Sequence, residues 1–178
     1  IHTKLKDCLV IEPKVYEDDR GYFLESYQAE RYKSDAGIKF EFVQDNISRS
    51  CYGTLRGLHF QIKNPQGKLA TVLSGEVFDV VVDIRKNSET FGQHECFKLS
   101  EQNKRQLWIP PGFAHGFQVI SDYAQFYYKC TTYYNPNDEG HLIYNDSSLK
   151  INWPIKKPIL SIKDEAASSF EDLQKSIF

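Results

Sequence analysis

Short runs of β-forming residues dominate the middle of the chain and alternate with clusters of Gly, Asn, Asp, Ser and Pro. These runs recur at roughly the eight- to twelve-residue spacing that is typical of antiparallel sandwiches and barrels. The pattern therefore predicts an all-β fold with a few short helices. The predicted strands cover residues 69–73, 77–84, 94–99, 106–109, 116–120, 125–134 and 141–144.

Glycine and proline mark the turns between these strands. The Ser-Gly-Glu segment at 74–76 separates two apolar runs and predicts a β-hairpin, because glycine adopts the positive φ that tight hairpin turns need. The Pro-Pro-Gly segment at 110–112 predicts another turn, because proline fixes φ at about −65° and glycine adopts the positive φ that many turns need.

The pattern changes after residue 154, where the strands give way to coil and then to helix. Ser161 and Asp164 have the spacing of a capping box at a helix N-terminus. Phe170, Leu173 and Ile177 follow at helical spacing and predict a C-terminal helix.

Length and charge narrow the possible partners. With 178 residues and 40% hydrophobic content, the chain is long enough for one domain, which we expect to span residues 1–178. The 22 Lys and Arg against 24 Asp and Glu give a net charge of −2, and no basic stripe is interleaved with stacking aromatic residues. We therefore expect no nucleic-acid partner. The net charge does not exclude a small anionic ligand.

Cysteine usage and apolar runs bear on location. Cys8, Cys51, Cys96 and Cys130 are far apart and form no CxxC pair, which favours reduced thiols in the cytoplasm over a disulfide framework or a zinc site. The first eight residues do not resemble a signal peptide, and no apolar run is long enough to span a bilayer. We therefore expect no membrane partner.

The segment at 54–61 carries the most informative chemistry, because Arg56 and His59 interrupt apolar and β-forming residues. An imidazole on a strand wall is a candidate proton carrier, since its ordinary pKa of about 6.5 lies near physiological pH. A structural histidine is the alternative interpretation. Strict alternation would place Arg56 and His59 on opposite faces, so we expect a bulge or bend at Gly57 to bring them together.

Four further residues are candidates, each with a plainer alternative. Arg20 precedes a glycine and suits phosphate recognition, or is an ordinary turn arginine. Lys68 stands at a strand start, where its ammonium faces an oxyanion or only solvent. Tyr128 lies in an aromatic-rich strand, where it donates a proton or merely packs. Helix capping alone accounts for Asp164.

The spacing of the histidines argues against a metal cofactor. The segment ending at His115 is of the kind found in cupin-type barrels, whose metal sites usually add a His-x-His pair and a glutamate. Here Phe60 and Gln61 follow His59, and the other histidines are scattered. We therefore expect no metal cofactor.

Seven segments, taken in order, closely resemble the dTDP-4-dehydrorhamnose 3,5-epimerase family, from about Ile11 to the C-terminal helix. The resemblance implies a cupin-like jelly-roll β-barrel or sandwich with short peripheral helices, which forms homodimers and needs no cofactor. It also implies a dTDP-4-keto-6-deoxy sugar as substrate, in the route to dTDP-L-rhamnose. The segments are DRG at 19–21, FVQDN at 42–46, LRGLHFQ at 55–61, QGKL at 66–69, GEVFDV at 75–80, NKRQLWIPPGFAHGF at 103–117 and LSIKD at 160–164.

The resemblance also implies roles for individual residues. By position, His59 matches the general base and Asp164 its carboxylate partner, Tyr128 the general acid, and Lys68 the lysine near the keto oxygen. The implied substrate-binding set comprises Arg20 and Arg56 at the diphosphate, Glu25, Gln44 and Asn46 near the nucleoside and sugar, Tyr133 stacked on the base, and His115.

Three alternatives stay open at this point. A relative that inverts carbon 3 only would use the same base and acid, so the motifs do not separate the two reactions. A cupin-type 3,4-ketoisomerase is disfavoured because those enzymes look richer in histidine at this strand. A non-catalytic nucleotide-sugar-binding barrel would be expected to lack His59, Tyr128 or Asp164, and all three are present.

Overall fold

A computed structural model describes residues 1–177. This part of the chain forms twelve strands and three short helices. The strands are β1 (Leu9–Ile11), β2 (Val15–Asp18), β3 (Gly21–Leu24), β4 (Gln44–Cys51), β5 (Leu55–Gln61), β6 (Lys68–Ser74), β7 (Glu76–Asp83), β8 (His94–Ser100), β9 (Gln106–Ile109), β10 (Phe113–Val119), β11 (Tyr123–Cys130) and β12 (Glu139–His141); the helices are α1 (Ala29–Ala36), α2 (Ile162–Glu165) and α3 (Phe170–Ile177).

Ten of the strands form two antiparallel sheets of five. The first sheet has the order β1-β9-β6-β11-β4 and the second the order β12-β5-β10-β7-β8, while β2 and β3 form a separate hairpin. Apolar side chains from both sheets meet in one core, where the rings of Phe117 and Phe126 stack with centroids 4.1 Å apart. The sandwich confirms the predicted all-β fold.

The outer faces of the two sheets are covered by different segments. Trp153 and Phe170, from the C-terminal part of the chain, pack with Leu58 of β5 on the second sheet. Tyr32 of α1 packs with Trp108 on the first. The chain after the last strand is therefore held against β5. None of the helices within residues 1–177 is long and apolar enough to cross a membrane.

The predicted hairpin at Gly75 is wrong. The strands on either side, β6 and β7, belong to different sheets, so the turn carries the chain from one layer of the sandwich to the other. Gly75 does have the expected positive φ, of 80°. A tight glycine turn serves a crossing between layers as well as a hairpin, because the pairing partners are set by distant strands.

Two predicted strand boundaries also differ from the structure: the run at 125–134 ends at Cys130, and that at 141–144 is replaced by β12.

The expected bulge at Gly57 is confirmed. In the pairing of β5 with β10, His59 is opposite His115 and Arg56 is opposite Phe117. Between these two pairs β5 has one residue more than β10, which is a β-bulge. Gly57 has φ +124°, and a Cβ there would lie 2.5 Å from the Cα of Gly116. The bulge places Arg56 and His59 together on the face opposite to the outward apolar side chains of β5.

The C-terminal elements confirm most of the capping prediction. The Ser161 hydroxyl accepts the backbone N–H of Asp164 at 3.2 Å and caps α2. In α3, Phe170 and Leu173 are buried as expected, and the side chain of Ile177 lies outside the described part of the chain. The sequence pattern did not predict α1, which begins after Gln28, whose side chain accepts the Arg31 N–H.

Candidate active site

His59 and Asp164 form a pair where β5 meets α2. Nε2 of His59 lies 2.5 Å from Oδ1 of Asp164, and the Ser161 hydroxyl donates to Oδ2 at 2.8 Å. Burial alone would raise the pKa of Asp164, but the hydrogen bonds from His59 and Ser161 outweigh it and hold the pKa below its ordinary value. The carboxylate therefore stays charged and leaves Nδ1 of His59 as the nitrogen that can accept a proton.

Tyr128 and Lys68 approach from the opposite sheet. They lie on β11 and β6, and Nζ of Lys68 is 5.9 Å from the centroid of the Tyr128 ring. Burial raises the pKa of Tyr128 to about 12, and the charge of Arg56 partly offsets this rise. The phenol therefore keeps its proton at neutral pH and is available as a donor.

Lys68 is a partly buried cation at the start of β6. Burial lowers its pKa, while the carboxylates of Asp79 and Glu139 partly compensate. An ammonium held in a poorly hydrated place stabilises a nearby oxyanion more strongly than one in bulk water, because the local dielectric is low. The position of Lys68 therefore suits a group on which negative charge develops.

A second histidine–aspartate pair lies beside the first. His115 of β10 is the cross-strand neighbour of His59, and its Nε2 lies 2.9 and 3.0 Å from the two carboxylate oxygens of Asp79. Both side chains are buried. Burial lowers the pKa of His115 despite the attraction of Asp79. His115 is therefore a neutral imidazole at the floor of the site.

Polar residues of β4 face β5 across the sandwich. Nε of Arg56 donates to the hydroxyl of Ser50 at 2.9 Å, so this guanidinium bridges the two sheets. The Gln44 amide donates to the Asn46 side-chain oxygen at 3.0 Å. Asn46 is also the register partner of Tyr128. The geometry thus brings these polar side chains beside the proton-transfer groups.

The carboxylate of Glu139 on β12 is contacted by several polar side chains at the edge of the site. Its Oε2 accepts the Tyr134 hydroxyl at 3.1 Å and Nζ of Lys163 at 3.1 Å, and lies 3.2 Å from Nε2 of His141. Burial would raise the pKa of Glu139, but the bonds from Lys163 and Tyr134 outweigh it and lower the pKa. Glu139 is therefore an anion at neutral pH.

A family model described as dTDP-4-dehydrorhamnose 3,5-epimerase matches residues 2–172. The match spans nearly the whole chain and includes every residue of the two histidine–aspartate pairs. The chain belongs to this epimerase family.

Two relatives illustrate the similarity. The dTDP-4-dehydrorhamnose 3,5-epimerase of Salmonella typhimurium is 54% identical over 169 residues, which cover 94% of this chain and 92% of the relative. The crystal structure of dTDP-6-deoxy-D-glucose-3,5-epimerase from Legionella pneumophila, in complex with dTDP-4-keto-L-rhamnose, is 52% identical with a TM-score of 0.96, covering 100% of this chain and 95% of that one.

A more distant epimerase has a related but narrower activity. A 3'-monoepimerase from Streptomyces bikiniensis, solved in complex with dTDP-quinovose, is 30% identical with a TM-score of 0.92, covering 98% of this chain and 89% of that chain. The dTDP-sugar epimerases therefore share one cupin-like sandwich, and this chain is an isomerase of that type.

Three of the predicted binding residues of the epimerase lie outside this cluster. Arg20 is exposed at the tip of the β2–β3 hairpin and pairs with Asp18. Glu25 pairs with Arg31 of α1 at 2.6 Å. Tyr133 follows β11 and is 70% exposed, with its ring open to solvent. The structure brings the other predicted site residues together between the sheets.

Four residues of the epimerase site were missed from the sequence: Asp79, Glu139, His141 and Lys163. Asp79 carried a usable signal, because it is an acid set between the apolar residues Phe78 and Val80 in the interior of β7. Glu139 and Lys163 lie in polar surroundings that do not distinguish them. His141 counted as a scattered histidine, although β12 places it directly opposite His59.

Proposed function

We propose that this chain converts dTDP-4-keto-6-deoxy-D-glucose to dTDP-4-keto-L-rhamnose by inverting carbons 3 and 5. The observation that carries the proposal is the placement of a base and an acid on opposite sheets: the His59–Asp164 pair on the second and Tyr128 on the first. Epimerisation needs such a two-sided site, because a base that returned its own proton would restore the starting configuration.

The reaction begins with proton transfer to Nδ1 of His59. Both carbon 3 and carbon 5 flank the ketone at carbon 4, so loss of either proton gives an enolate whose charge rests on the keto oxygen. Asp164 stabilises the imidazolium that forms, and Lys68 stabilises the enolate oxygen. The Tyr128 hydroxyl then donates its proton to the same carbon from the other face, and both groups re-equilibrate with solvent.

The remaining polar residues hold the substrate. Arg56 suits the diphosphate, since a guanidinium offers paired donors to phosphate oxygens. We assign Gln44 and Asn46 to the sugar and nucleoside, Tyr133 to stacking on the base, and the neutral His115 to the sugar beside His59. Residues 1–178 act as a single domain in this scheme, and the four free cysteines favour the reducing cytoplasm.

Proton NMR in deuterated water tests this proposal. The chain is incubated with dTDP-4-keto-6-deoxyglucose, and the product is reduced and identified. Deuterium at carbons 3 and 5 with an L-rhamnose product is the expected result. Label at carbon 3 alone would instead support the single epimerisation that the Streptomyces bikiniensis relative's name describes. Absence of exchange would refute catalysis on this substrate and favour a binding role.

We further propose a homodimer in which the β2–β3 hairpin reaches the partner's site. The hairpin exposes Tyr16, Tyr22 and Phe23, each more than half accessible, which is unusual for aromatic residues in a monomer. It also carries Arg20, which is exposed and pairs with Asp18 of the same hairpin rather than with a residue of its own chain's site. A partner hairpin would bury the aromatic face and supply this arginine.

Complementation between two inactive variants tests the exchange. Arg20→Ala and His59→Ala subunits are mixed, unfolded and refolded together. If Arg20 acts across the interface, half of the sites in mixed dimers are intact, and about one quarter of wild-type activity returns. If Arg20 acts within its own chain, no mixed dimer holds an intact site. Light scattering on the same samples measures the mass of the assembly.

A further inference from the structure

His141 extends the catalytic pair to a group of three ligand-type side chains. His59 on β5, His141 on β12 and Asp164 on α2 each offer one ligand atom, and these atoms lie within 4.8 Å of one another. The two histidines are directly opposed across neighbouring strands, with ring centroids 4.8 Å apart and nearly perpendicular planes. The strand pairing thus supplies the second imidazole that the sequence lacks at the position after Phe60.

The contact with Glu139 indicates which nitrogen of His141 faces this group. Nε2 lies 3.2 Å from the anionic Glu139, which only accepts, and this favours the tautomer with the ring hydrogen on Nε2. Nδ1 then carries a lone pair. It is buried without a hydrogen-bond partner in the described part of the chain, 3.9 Å from Oδ1 of Asp164.

A lone pair that faces a carboxylate oxygen is an unfavourable arrangement unless a cation or a proton lies between them. The Glu139–His141 contact is also the outer-shell pattern of metal sites, in which a ligating histidine donates its other ring hydrogen to a carboxylate. We propose that His59, His141 and Asp164 bind a divalent transition-metal ion such as Zn²⁺, and that this ion inhibits the enzyme.

The ligand set and its geometry fit such an ion. Two imidazoles and one carboxylate make a three-residue zinc site that leaves a position for water. Bonds of about 2.0–2.2 Å require ligand atoms about 3.3–3.5 Å apart, so the short His59–Asp164 contact must open by roughly 1 Å, and the widest separation, up to 4.8 Å, must close by a similar amount. The His59 side chain is 32% exposed, and Glu139 and His141 line a surface pocket, so an ion has access from solvent.

Inhibition follows from the identity of the ligands and rests on the proposed function. A metal ion on Nε2 of His59 replaces the hydrogen there, and the neutral ring carries its hydrogen on Nδ1 instead. No lone pair is then left for the substrate proton. The ion also withdraws Asp164 from its partnership with the base.

Cobalt absorption tests the site without reference to turnover. The chelator-treated wild-type chain is titrated with Co²⁺, and Zn²⁺ is then added to displace it. We expect visible bands that His141→Ala abolishes, with Zn²⁺ affinity weaker by about tenfold or more. His2→Ala is the matched control, because this exposed histidine near the N-terminus lies outside the group, and its bands should equal those of the wild type.

Glu139→Ala provides a second variant. It removes the carboxylate beside Nε2 of His141, which orients this ring, and should weaken Zn²⁺ binding about tenfold. Bands that persist unchanged in both variants, or no bands at all with the wild type, would overturn the proposal. Turnover is measured separately: Zn²⁺ should suppress wild-type exchange reversibly, and His141→Ala should resist it relative to its own metal-free rate. Bands that depend on His141 without any epimerase activity would uphold the metal site and refute the proposed function.

Discussion

The carboxylate of Asp164 meets Nε2 of His59 at 2.5 Å, across 105 positions of sequence. This contact orients the imidazole so that Nδ1, rather than Nε2, is free for the substrate. It also ties the base to α2, outside the sheets, since Ser161 holds the other oxygen of the same carboxylate.

Asp164→Asn should preserve the shape of this pair and remove its charge. Without the carboxylate the imidazolium is less stable and the ring tautomer is no longer fixed, so kcat should fall by about 10²–10⁴ with little change in KM. Steady-state kinetics measure this effect. Ser161→Ala removes one hydrogen bond to the same carboxylate and should cost much less. Near wild-type turnover in Asp164→Asn would remove this residue from the proposed mechanism.

Tyr128→Phe should separate exchange from inversion. The variant keeps the base, so substrate hydrogen still exchanges with deuterated solvent, but the second face lacks a donor and inversion should slow by about 10²–10⁴. NMR measures both rates in one sample. Tyr127→Phe, at the preceding position of β11, is the control and should retain activity. Equal loss of exchange and inversion in Tyr128→Phe would contradict the role as acid.

Lys68 should set an alkaline limit on activity. An ammonium is charged below its pKa, and burial places the pKa of Lys68 below the ordinary lysine value of about 10.4. Activity that needs this charge is therefore present at neutral pH and lost as the pH rises through that lowered pKa. A pH–rate profile locates the fall.

Lys68→Met should cost about 10²–10³ in kcat at neutral pH and remove the alkaline limb that this lysine causes. Lys129→Met is the matched control, because Lys129 pairs with Asp45 at 2.8 Å instead of entering the site. An unchanged rate in Lys68→Met would show that the enolate charge is stabilised elsewhere.

Gly57→Ala should damage both stability and activity. A Cβ at this position would lie 2.5 Å from the Cα of Gly116 and 2.8 Å from the carbonyl oxygen of His115, so the strands must separate. We expect a loss of about 3 kcal/mol in the free energy of unfolding. Gly21→Ala has a matching positive φ, of 125°, with no atom within 4 Å and should cost about 1 kcal/mol. Urea denaturation measures the free energy of unfolding of both variants. Equal losses would mean that the close approach of Gly57 to β10 does not matter for stability.

The sequence predicted the strands better than their partners. Alternation and turn residues are local properties, so most strands lie near their predicted positions. The pairing around Gly75 depends on which distant strands reach β6 and β7, and no local pattern encodes that choice. The bulge at Gly57 was predictable because strict alternation would otherwise separate Arg56 from His59.

The site followed from the sequence only in part. His59 stood out as a polar interruption of an apolar strand, but no spacing places Asp164 against it, and that pairing came from the family resemblance. His141 and Glu139 acquire their positions from the pairing of β12 with β5, which joins residues that are distant in sequence. Long-range pairing of this kind leaves no trace in the residues around each partner.

The position of Asp164 separates substrate binding from full catalysis along the chain. Both sheets are complete by residue 141 and carry His59, Lys68 and Tyr128, whereas the carboxylate that orients the base belongs to the segment after Trp153 that packs across β5. A chain that ends just before α2 should therefore keep the polar binding face of the sheets and lose most of its turnover, because His59 has no partner. A truncation series measured by ligand binding and by turnover would separate the two properties.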